Sequence, residues 1–100
     1  MTLPIDTLLV RHGESEGNLA KRLEEKGDSS ALASFRGRHT ASYRLTDKGR
    51  HQARQAGAWL RGEFYASSFG FDRFFVSDYV RAMETAGELG LPRAIWYTKP

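Results

Sequence analysis

The strongest constraint on the fold is a short apolar run that leads directly into a turn containing glycine. Residues Asp6–Val10 lack the alternation of a half-exposed strand, and an unbroken apolar run is typical of a strand buried on both faces of a parallel sheet. Gly13 and Gly17 interrupt the pattern, and Leu19–Lys26 has the composition of a helix. A strand, a turn and a helix in this order predict the first half of a βαβ unit.

A second helix is predicted after Thr46, which is a good N-cap residue, and it ends in Ser67–Gly70. Its apolar residues recur at spacings of three and four, which places them on one face; they are Ala53, Ala56, Gly57, Leu60 and Phe64. Because three of these residues are small, we expect the helix to lie close to a sheet.

The remaining sequence repeats the alternation of strand and helix. Phe71–Val76 predicts a second strand, and Ser77 is a cap for a helix over Asp78–Leu89. The residues expected to face inward from this helix are Val80, Met83, Ala86 and Gly87, and Gly90 and Pro92 stop it. Ala94–Tyr97 predicts a third strand.

These elements predict an α/β fold, a three-layer sandwich in which a mostly parallel sheet is flanked by helices. The polar segment Gly27–Tyr43 is predicted to be a loop, with at most a short helix, and long loops of this kind are often substrate lids. Three strands make a thin sheet. We therefore expect residues 1–100 to be the N-terminal part of a larger single domain that folds poorly by itself.

Composition excludes several classes of protein. The absence of cysteine excludes disulfides, thiolate metal sites and cysteine nucleophiles. No apolar run is long enough for a membrane span, and nothing resembles a signal peptide, so we expect a cytoplasmic protein without a membrane partner. Basic residues are concentrated between Arg36 and Arg54 and should attract anions. Few aromatic residues are interleaved with them, which argues against a nucleic-acid partner.

The segment after the first predicted strand has the side chains of a phosphate site. It lies at the carboxyl end of the strand, where open α/β sheets bind ligands. Arg11 offers a planar fork of donors to phosphate oxygens, and a neutral His12 can attack through one ring nitrogen while the other donates a hydrogen bond. Gly13 allows close approach of the backbone. Ser15 and Asn18 add polar groups near a helix start, whose N–H groups favour an anion.

Arg81 is a second candidate for binding an anion. It lies in the first turn of its predicted helix, where the helix dipole disfavours a cation. Residues that break a local rule tend to be functional, and a bound phosphate would offset the unfavourable position.

Three motifs occur in a recognisable order. Arg11–Asn18 reads Arg-His-Gly-Glu-Ser-Glu-Gly-Asn. Leu45–Ala53 is similar to a Leu-Thr-x-x-Gly-x-x-Gln-Ala helix start, and Ser77–Ala86 is similar to a Ser-x-x-x-Arg-Ala-x-x-Thr-Ala helix. Together they resemble the histidine phosphatase superfamily, the phosphoglycerate-mutase-like enzymes, over nearly the whole chain.

The resemblance implies a ping-pong reaction in which His12 becomes phosphohistidine, with Arg11 and Arg81 balancing charge on the phosphoryl oxygens. It implies a small phosphorylated substrate and requires neither a metal nor an organic cofactor. The implied substrate-binding residues are Gly13, Ser15, Asn18 and Gly37. The second pocket histidine and the acidic proton donor of the family are expected beyond Pro100. His39, His51, Glu84 and Glu88 are interpreted as lid or surface residues.

The predicted lid departs from the mutase pattern. Mutases tend to have a Phe-x-Gly-Trp segment, whereas this chain has Arg38 in place of the tryptophan. The change favours a phosphatase acting on a small metabolite, with lid arginines available for a second anionic group. A phosphoglycerate-type mutase and a non-catalytic phosphate-binding module remain alternatives, and the sequence leaves the oligomeric state open.

Overall fold

The structure, a computed structural model, describes residues 7–35, 37–65 and 70–100. Apart from the first predicted strand, its elements follow the predicted order and confirm an α/β fold with helices beside a parallel sheet. In chain order they are α1 (Glu16–Glu25), α2 (Ser30–Ser34), a 3-10 turn (Thr40–Ser42), α3 (Asp47–Leu60), a π-helical turn (Arg61–Tyr65), β1 (Phe74–Ser77), α4 (Val80–Leu89) and β2 (Trp96–Lys99).

Strands β1 and β2 form the parallel sheet, and α4 connects them. Phe74 pairs with Trp96 and Ser77 with Lys99. Parallel neighbours need a crossover connection, which α4 provides. The helix ends at Gly90, whose backbone φ of 61° is left-handed, so glycine is favoured there. Both strands begin later than the sequence predicts, and Phe71 instead places its ring 5.0 Å from that of Phe64.

The predicted first strand is not formed by the described residues Thr7–Val10; Asp6 lies outside the described part. Leu9 is 90% exposed, and Leu8 and Val10 are also exposed. A strand is defined by hydrogen bonds to a neighbour, and the described ranges provide none for this segment. These residues are exposed, so the prediction of a strand buried on both faces is wrong for the described residues Thr7–Val10.

Two helices begin at other residues than predicted, because two serine side chains have other roles than the sequence suggested. Helix α1 begins at Glu16 rather than Leu19, since Ser15 is its N-cap. Helix α4 begins at Val80, and Ser77 ends β1 instead of capping the helix. The Ser77 hydroxyl accepts a hydrogen bond from the amide of Tyr79 at 3.2 Å.

The inward face of α4 is also rotated from the predicted one. Its buried residues are Thr85, Ala86 and Leu89, whereas Met83 is 42% exposed and Gly87 is exposed. An apolar pattern misses this face because Thr85 is polar. Its hydroxyl is nevertheless satisfied inside, as it donates to the carbonyl of Arg81 at 2.7 Å, so burial of this group carries little cost.

Helix α3 packs against α4, and together they contain most of the core. The predicted N-cap is confirmed, because the Thr46 hydroxyl accepts from the amide of Gly49 at 3.0 Å. The apolar stripe is confirmed at its buried members Ala53, Gly57 and Leu60. The close approach involves a helix, however, and not the sheet: a Cβ on Gly57 would overlap the carbonyl of Leu89.

The loop before α1 is held by the segment before α3. Ser15 forms an isolated antiparallel bridge with Leu45, and the amide of Glu16 donates to the carbonyl of Arg44 at 2.8 Å. In the described ranges, no helix combines the length and apolarity needed to cross a bilayer.

Candidate functional site

A shallow cavity opens where the loop before α1 meets the 3-10 turn and the start of α4. Its volume is about 190 Å³. It brings together four predicted site residues, namely His12, Ser15, Asn18 and Arg81. The other residues that line it are Gly17, Thr40 and Tyr43. Segments from both ends of the chain therefore meet at one place.

The ring of His12 is oriented by the backbone next to it. Its Nδ1 lies 2.7 Å from the carbonyl oxygen of Gly13. A carbonyl oxygen can only accept, so Nδ1 is the nitrogen that carries the proton in this contact. In the neutral ring Nε2 then holds an unshared electron pair. The arrangement leaves Nε2 as the nitrogen available to a ligand.

Gly13 is fixed by contacts with distant residues. Its amide donates to the Thr85 hydroxyl at 3.2 Å, and a Cβ at this position would overlap the carbonyl of Gly49. The reverse contact is equally close, because a Cβ on Gly49 would overlap the carbonyl of Glu14. Both positions need glycine so that the loop can lie directly on the start of α3.

Ser15 and Asn18 form the start of α1. The Ser15 hydroxyl accepts from the amide of Asn18 at 3.2 Å, and the side-chain oxygen of Asn18 accepts from the amide of Ser15 at 3.0 Å. This reciprocal pair is a capping box. Ser15 is buried and its hydroxyl is occupied by the cap. The side-chain NH2 group of Asn18 can still face a ligand.

Arg81 lies in the first turn of α4, as predicted, and its guanidinium is held from two sides. One Nη donates to the carbonyl of Thr40 at 2.7 Å, and the guanidinium lies 4.6 Å from the centre of the Tyr79 ring. A guanidinium has five N–H donors, so the bond to Thr40 leaves others for an anion in the cavity.

Gly13 does not line this cavity, and neither do two further predicted site residues. Arg11 is exposed and is adjacent in sequence to His12. Gly37 is exposed with a φ of 85°, and a Cβ there would contact nothing within 4 Å. The backbone conformation thus explains the glycine at position 37, and the roles predicted for both residues remain predictions.

Arg38, in the predicted lid, is paired with a carboxylate. Arg36 lies outside the described residues. Arg38 is 2.9 Å from a carboxylate oxygen of Glu16, and its guanidinium lies 4.9 Å and 5.3 Å from the ring centres of Phe35 and Tyr43. The hydrogen bond from Arg38, and then that from the amide of Arg44, lower the pKa of Glu16 below its ordinary value. Arg38 therefore ties the lid to α1.

The interpretation of Glu84 as a helix-surface charge is wrong. Its side chain is 19% exposed and lies 2.8 Å from Arg44 and 3.5 Å from Arg50, while the amide of Leu45 donates to it at 2.8 Å. Burial raises the pKa of Glu84, but the bonds from Leu45 and Arg44 and the charges of Arg44 and Arg50 outweigh it, so the net pKa is lowered. Glu84 joins α4 to the segment before α3.

The other two histidines do not line the cavity. Nδ1 of His39 accepts from the amide of Ala41 at 3.0 Å and caps the 3-10 turn, while His51 is exposed on α3. Within the ranges that the structure describes, no three side chains of His, Cys, Asp or Glu gather in a group that could hold a metal ion.

Besides Gly17, sequence reasoning missed four residues at or beside the site. Thr40 and Tyr43 line the cavity, Thr85 holds the amide of Gly13, and Gln52 accepts from the amide of Glu14 at 2.9 Å. The signal for the last two was present, because both stand in the motif segments Leu45–Ala53 and Ser77–Ala86. No comparable pattern marks the first two.

Two proteins of Arabidopsis thaliana are similar to the chain. It is 36% identical over 91 residues to phosphoglycerate mutase-like protein AT74, with 88% of this chain and 25% of that protein covered. It is 35% identical over 96 residues to phosphoglycerate mutase-like protein AT74H, with 88% of this chain and 30% of that protein covered. The chain thus spans less than a third of the length of these relatives.

A solved structure and a family model also match the chain. The solved structure of "Putative Phosphohistidine Phosphatase SixA" from Nakamurella multipartitia matches with a TM-score of 0.54 and 25% identity, covering 63% of this chain and 34% of that one. The family model matches residues 7–97 and therefore most of the chain. The chain belongs to the histidine phosphatase superfamily, branch 1.

Proposed function

We propose that the chain carries the nucleophile of a phosphoryl-transfer enzyme, and that this enzyme is a phosphatase acting on a small phosphorylated metabolite. Membership of the family supports the phosphoryl transfer. The observation that carries the proposal is the hydrogen bond from Nδ1 of His12 to the Gly13 carbonyl. In the neutral ring this bond leaves the electron pair on Nε2, and His12 lines a cavity that Arg81 also lines.

The reaction proceeds in two displacements. Nε2 of His12 forms a bond to phosphorus while the bond from phosphorus to the ester oxygen breaks, and that oxygen takes a proton from water as it leaves. Water then attacks the phosphorus of phosphohistidine, the P–N bond breaks, and inorganic phosphate and the neutral ring are released. Little covalent work falls to the protein beyond the nucleophile, so positioning and charge stabilisation dominate.

Arg81 and Arg11 are the proposed charge-stabilising residues. Donors aimed at the phosphoryl oxygens are often the largest catalytic contribution. Arg81 meets this requirement most directly because its guanidinium is held between the Tyr79 ring and the Thr40 carbonyl. Arg11 adjoins the proposed nucleophile in sequence and is exposed.

The second candidate is a mutase, which differs only in the acceptor of the phosphoryl group. Two relatives are named phosphoglycerate mutase-like, whereas the similar solved structure is named for phosphohistidine phosphatase activity. Arg38 in place of the mutase tryptophan favours the phosphatase. Product analysis separates the two, since a phosphatase releases inorganic phosphate and a mutase returns an isomeric ester.

Trapping of the phosphoenzyme tests the proposal. The protein, expressed in its complete reading frame, is mixed with an aryl phosphate and quenched in alkali, and phosphopeptides are located by mass spectrometry. We expect an acid-labile phosphoryl group on His12 that is absent from His12→Ala and retained in His51→Ala, the exposed control. A folded protein that binds phosphate without forming phosphohistidine would instead support a non-catalytic binding module.

A further inference from the structure

The two peptide groups that flank Gly13 are both held by side chains from other elements. The first peptide, between His12 and Gly13, donates its N–H to the Thr85 hydroxyl at 3.2 Å. The second, between Gly13 and Glu14, donates its N–H to the side-chain oxygen of Gln52 at 2.9 Å. Each peptide adjoining this glycine is therefore fixed at one atom by a residue of α4 or α3.

The second peptide is also the one that orients the nucleophile. Its carbonyl is the Gly13 oxygen that accepts from Nδ1 of His12 at 2.7 Å. Holding the N–H end of a planar peptide fixes the direction of its C=O end. The hydrogen bond to Gln52 therefore fixes the position of the Gly13 carbonyl oxygen that accepts from His12.

A glycine at this position makes external support necessary. Gly13 cannot carry a side chain, because a Cβ would overlap the carbonyl of Gly49. Glycine leaves φ and ψ free over a wide range, so the residue itself does not define the direction of its carbonyl. The loop can contact α3 closely and still keep the Gly13 carbonyl in one direction only if neighbouring groups restrain both peptides.

Thr85 adds a connection to the proposed charge-stabilising residue. Its hydroxyl accepts from the Gly13 amide and donates to the carbonyl of Arg81 at 2.7 Å. The side chain is 5% exposed, so water does not readily replace either bond. One buried hydroxyl thus links the peptide after His12 to the helix turn that carries Arg81.

We propose that Gln52 and Thr85 are positioning residues for His12, which hold the Gly13 peptides so that the ring keeps its proton on Nδ1 and presents Nε2. This inference rests on the proposed function for its kinetic consequence. Both residues act through the backbone of the loop and touch no reacting atom.

The test uses pairs of variants that differ in the accepting oxygen. Gln52→Met and Thr85→Val keep the approximate side-chain volume and remove the acceptor. Gln52→Glu and Thr85→Ser keep an oxygen in place and serve as matched controls. Gln52 is exposed, so Gln52→Met is expected to fold even if the buried Thr85→Val does not, and thermal unfolding checks each variant.

Two measurements are made on the protein in its complete reading frame. Nitrogen-15 NMR of the His12 ring reports which nitrogen carries the proton, and rapid quench with an aryl phosphate reports the rate of phosphohistidine formation. We expect Gln52→Met to mix the two ring tautomers and to slow phosphorylation about 10- to 100-fold with little change in KM, because misplacement of a reacting group costs rate. Gln52→Glu and Thr85→Ser should stay within about threefold of the parent rate.

The outcomes separate this inference from the proposed function. A folded Gln52→Met with the parental tautomer and rate would overturn the inference while leaving phosphohistidine chemistry intact. A parent protein with the Nδ1–H tautomer but no phosphohistidine would overturn the proposed function. If the acceptor-removing variant then still mixed the tautomers, the positioning of the ring would stand without its kinetic consequence.

Discussion

Arg81 and Arg38 both lie near the cavity, but their guanidinium groups have different partners. Arg38 faces the carboxylate of Glu16, whereas Arg81 donates a hydrogen bond to the neutral carbonyl of Thr40. An ion pair cancels most of the field that a cation offers to an anion. A carbonyl partner leaves the positive charge available to a phosphoryl group.

We therefore expect Arg81→Gln to reduce kcat/KM for a phosphate ester by about 100-fold or more, the usual loss for a charge-stabilising donor. Arg38→Gln is the matched control, because it removes the same charge from the same neighbourhood. Its effect should stay below about threefold, since partly exposed ion pairs contribute little. Equal losses in the two variants would contradict this assignment.

Glu84 gives the fold a dependence on pH. Its lowered pKa means that the folded state favours the carboxylate. The associated stability is complete above the unfolded value, near 4.5, and is lost as the pH falls through the lower folded value. Acid thus weakens the link between α4 and the segment before α3.

Glu84→Gln should lower the free energy of unfolding by about 1–3 kcal/mol at neutral pH, as expected for hydrogen bonds to a charged group. The difference from the parent should shrink as the pH falls below about 4.5, because the parent then loses the same charge. Denaturant titrations at several pH values measure it, with the exposed Glu24→Gln as control. A difference that does not vary with pH would count against the assignment.

At the scale of elements, the contact of α3 with α4 depends on a glycine that sequence reasoning placed against a sheet. Gly57 has no room for a side chain, because the Leu89 carbonyl occupies the position of its Cβ. Gly87, on α4, has open space around it. The two helices therefore contain one glycine required by packing and one that is not.

Gly57→Ala should destabilise the protein by about 1–3 kcal/mol through overpacking. Gly87→Ala should instead stabilise it by about 0.5–1 kcal/mol, because alanine is the better helix former. Thermal unfolding of both variants provides the comparison. If Gly57→Ala were as stable as the parent, the close approach of the two helices would be ruled out.

The alternation of strand and helix was predictable because apolar periodicity reports burial. Helix starts were less predictable, since Ser15 serves as a cap although the same polar atom could bind a ligand. The strand prediction failed at the described residues Thr7–Val10, because pairing depends on a neighbour that no local pattern specifies. Among the residues that line the cavity, His12 and Arg81 could be predicted because they lie in motifs. Thr40 and Tyr43 could not, because they line the cavity only as a result of how the predicted lid folds.

At the scale of the whole molecule, the described residues bury little large apolar surface. No large side chain in the described ranges is fully buried, while Leu9, Ile95 and Trp59 are 90%, 71% and 60% exposed. The radius of gyration is 15.9 Å, compared with about 13 Å for a typical domain of this length. The core is small and the shape is elongated.

We expect the 100-residue chain by itself to be marginally stable, below about 5 kcal/mol, and to bind a dye that reports exposed apolar surface. Leu89→Ala, at a buried site, should cost more stability than Leu9→Ala, at an exposed one. Calorimetry and dye fluorescence measure both properties. A sharp cooperative transition without dye binding would show that the exposed apolar residues do not limit stability.

The hydrogen bond between Gly13 and Thr85 joins residues 72 positions apart, and this separation has a consequence during biosynthesis. The segment that carries His12 leaves the ribosome well before its partner on α4 has been made. The loop around His12 therefore gains its contact with Thr85 only after α4 has been made. A partly made chain contains the histidine but not the buried hydroxyl that holds its loop.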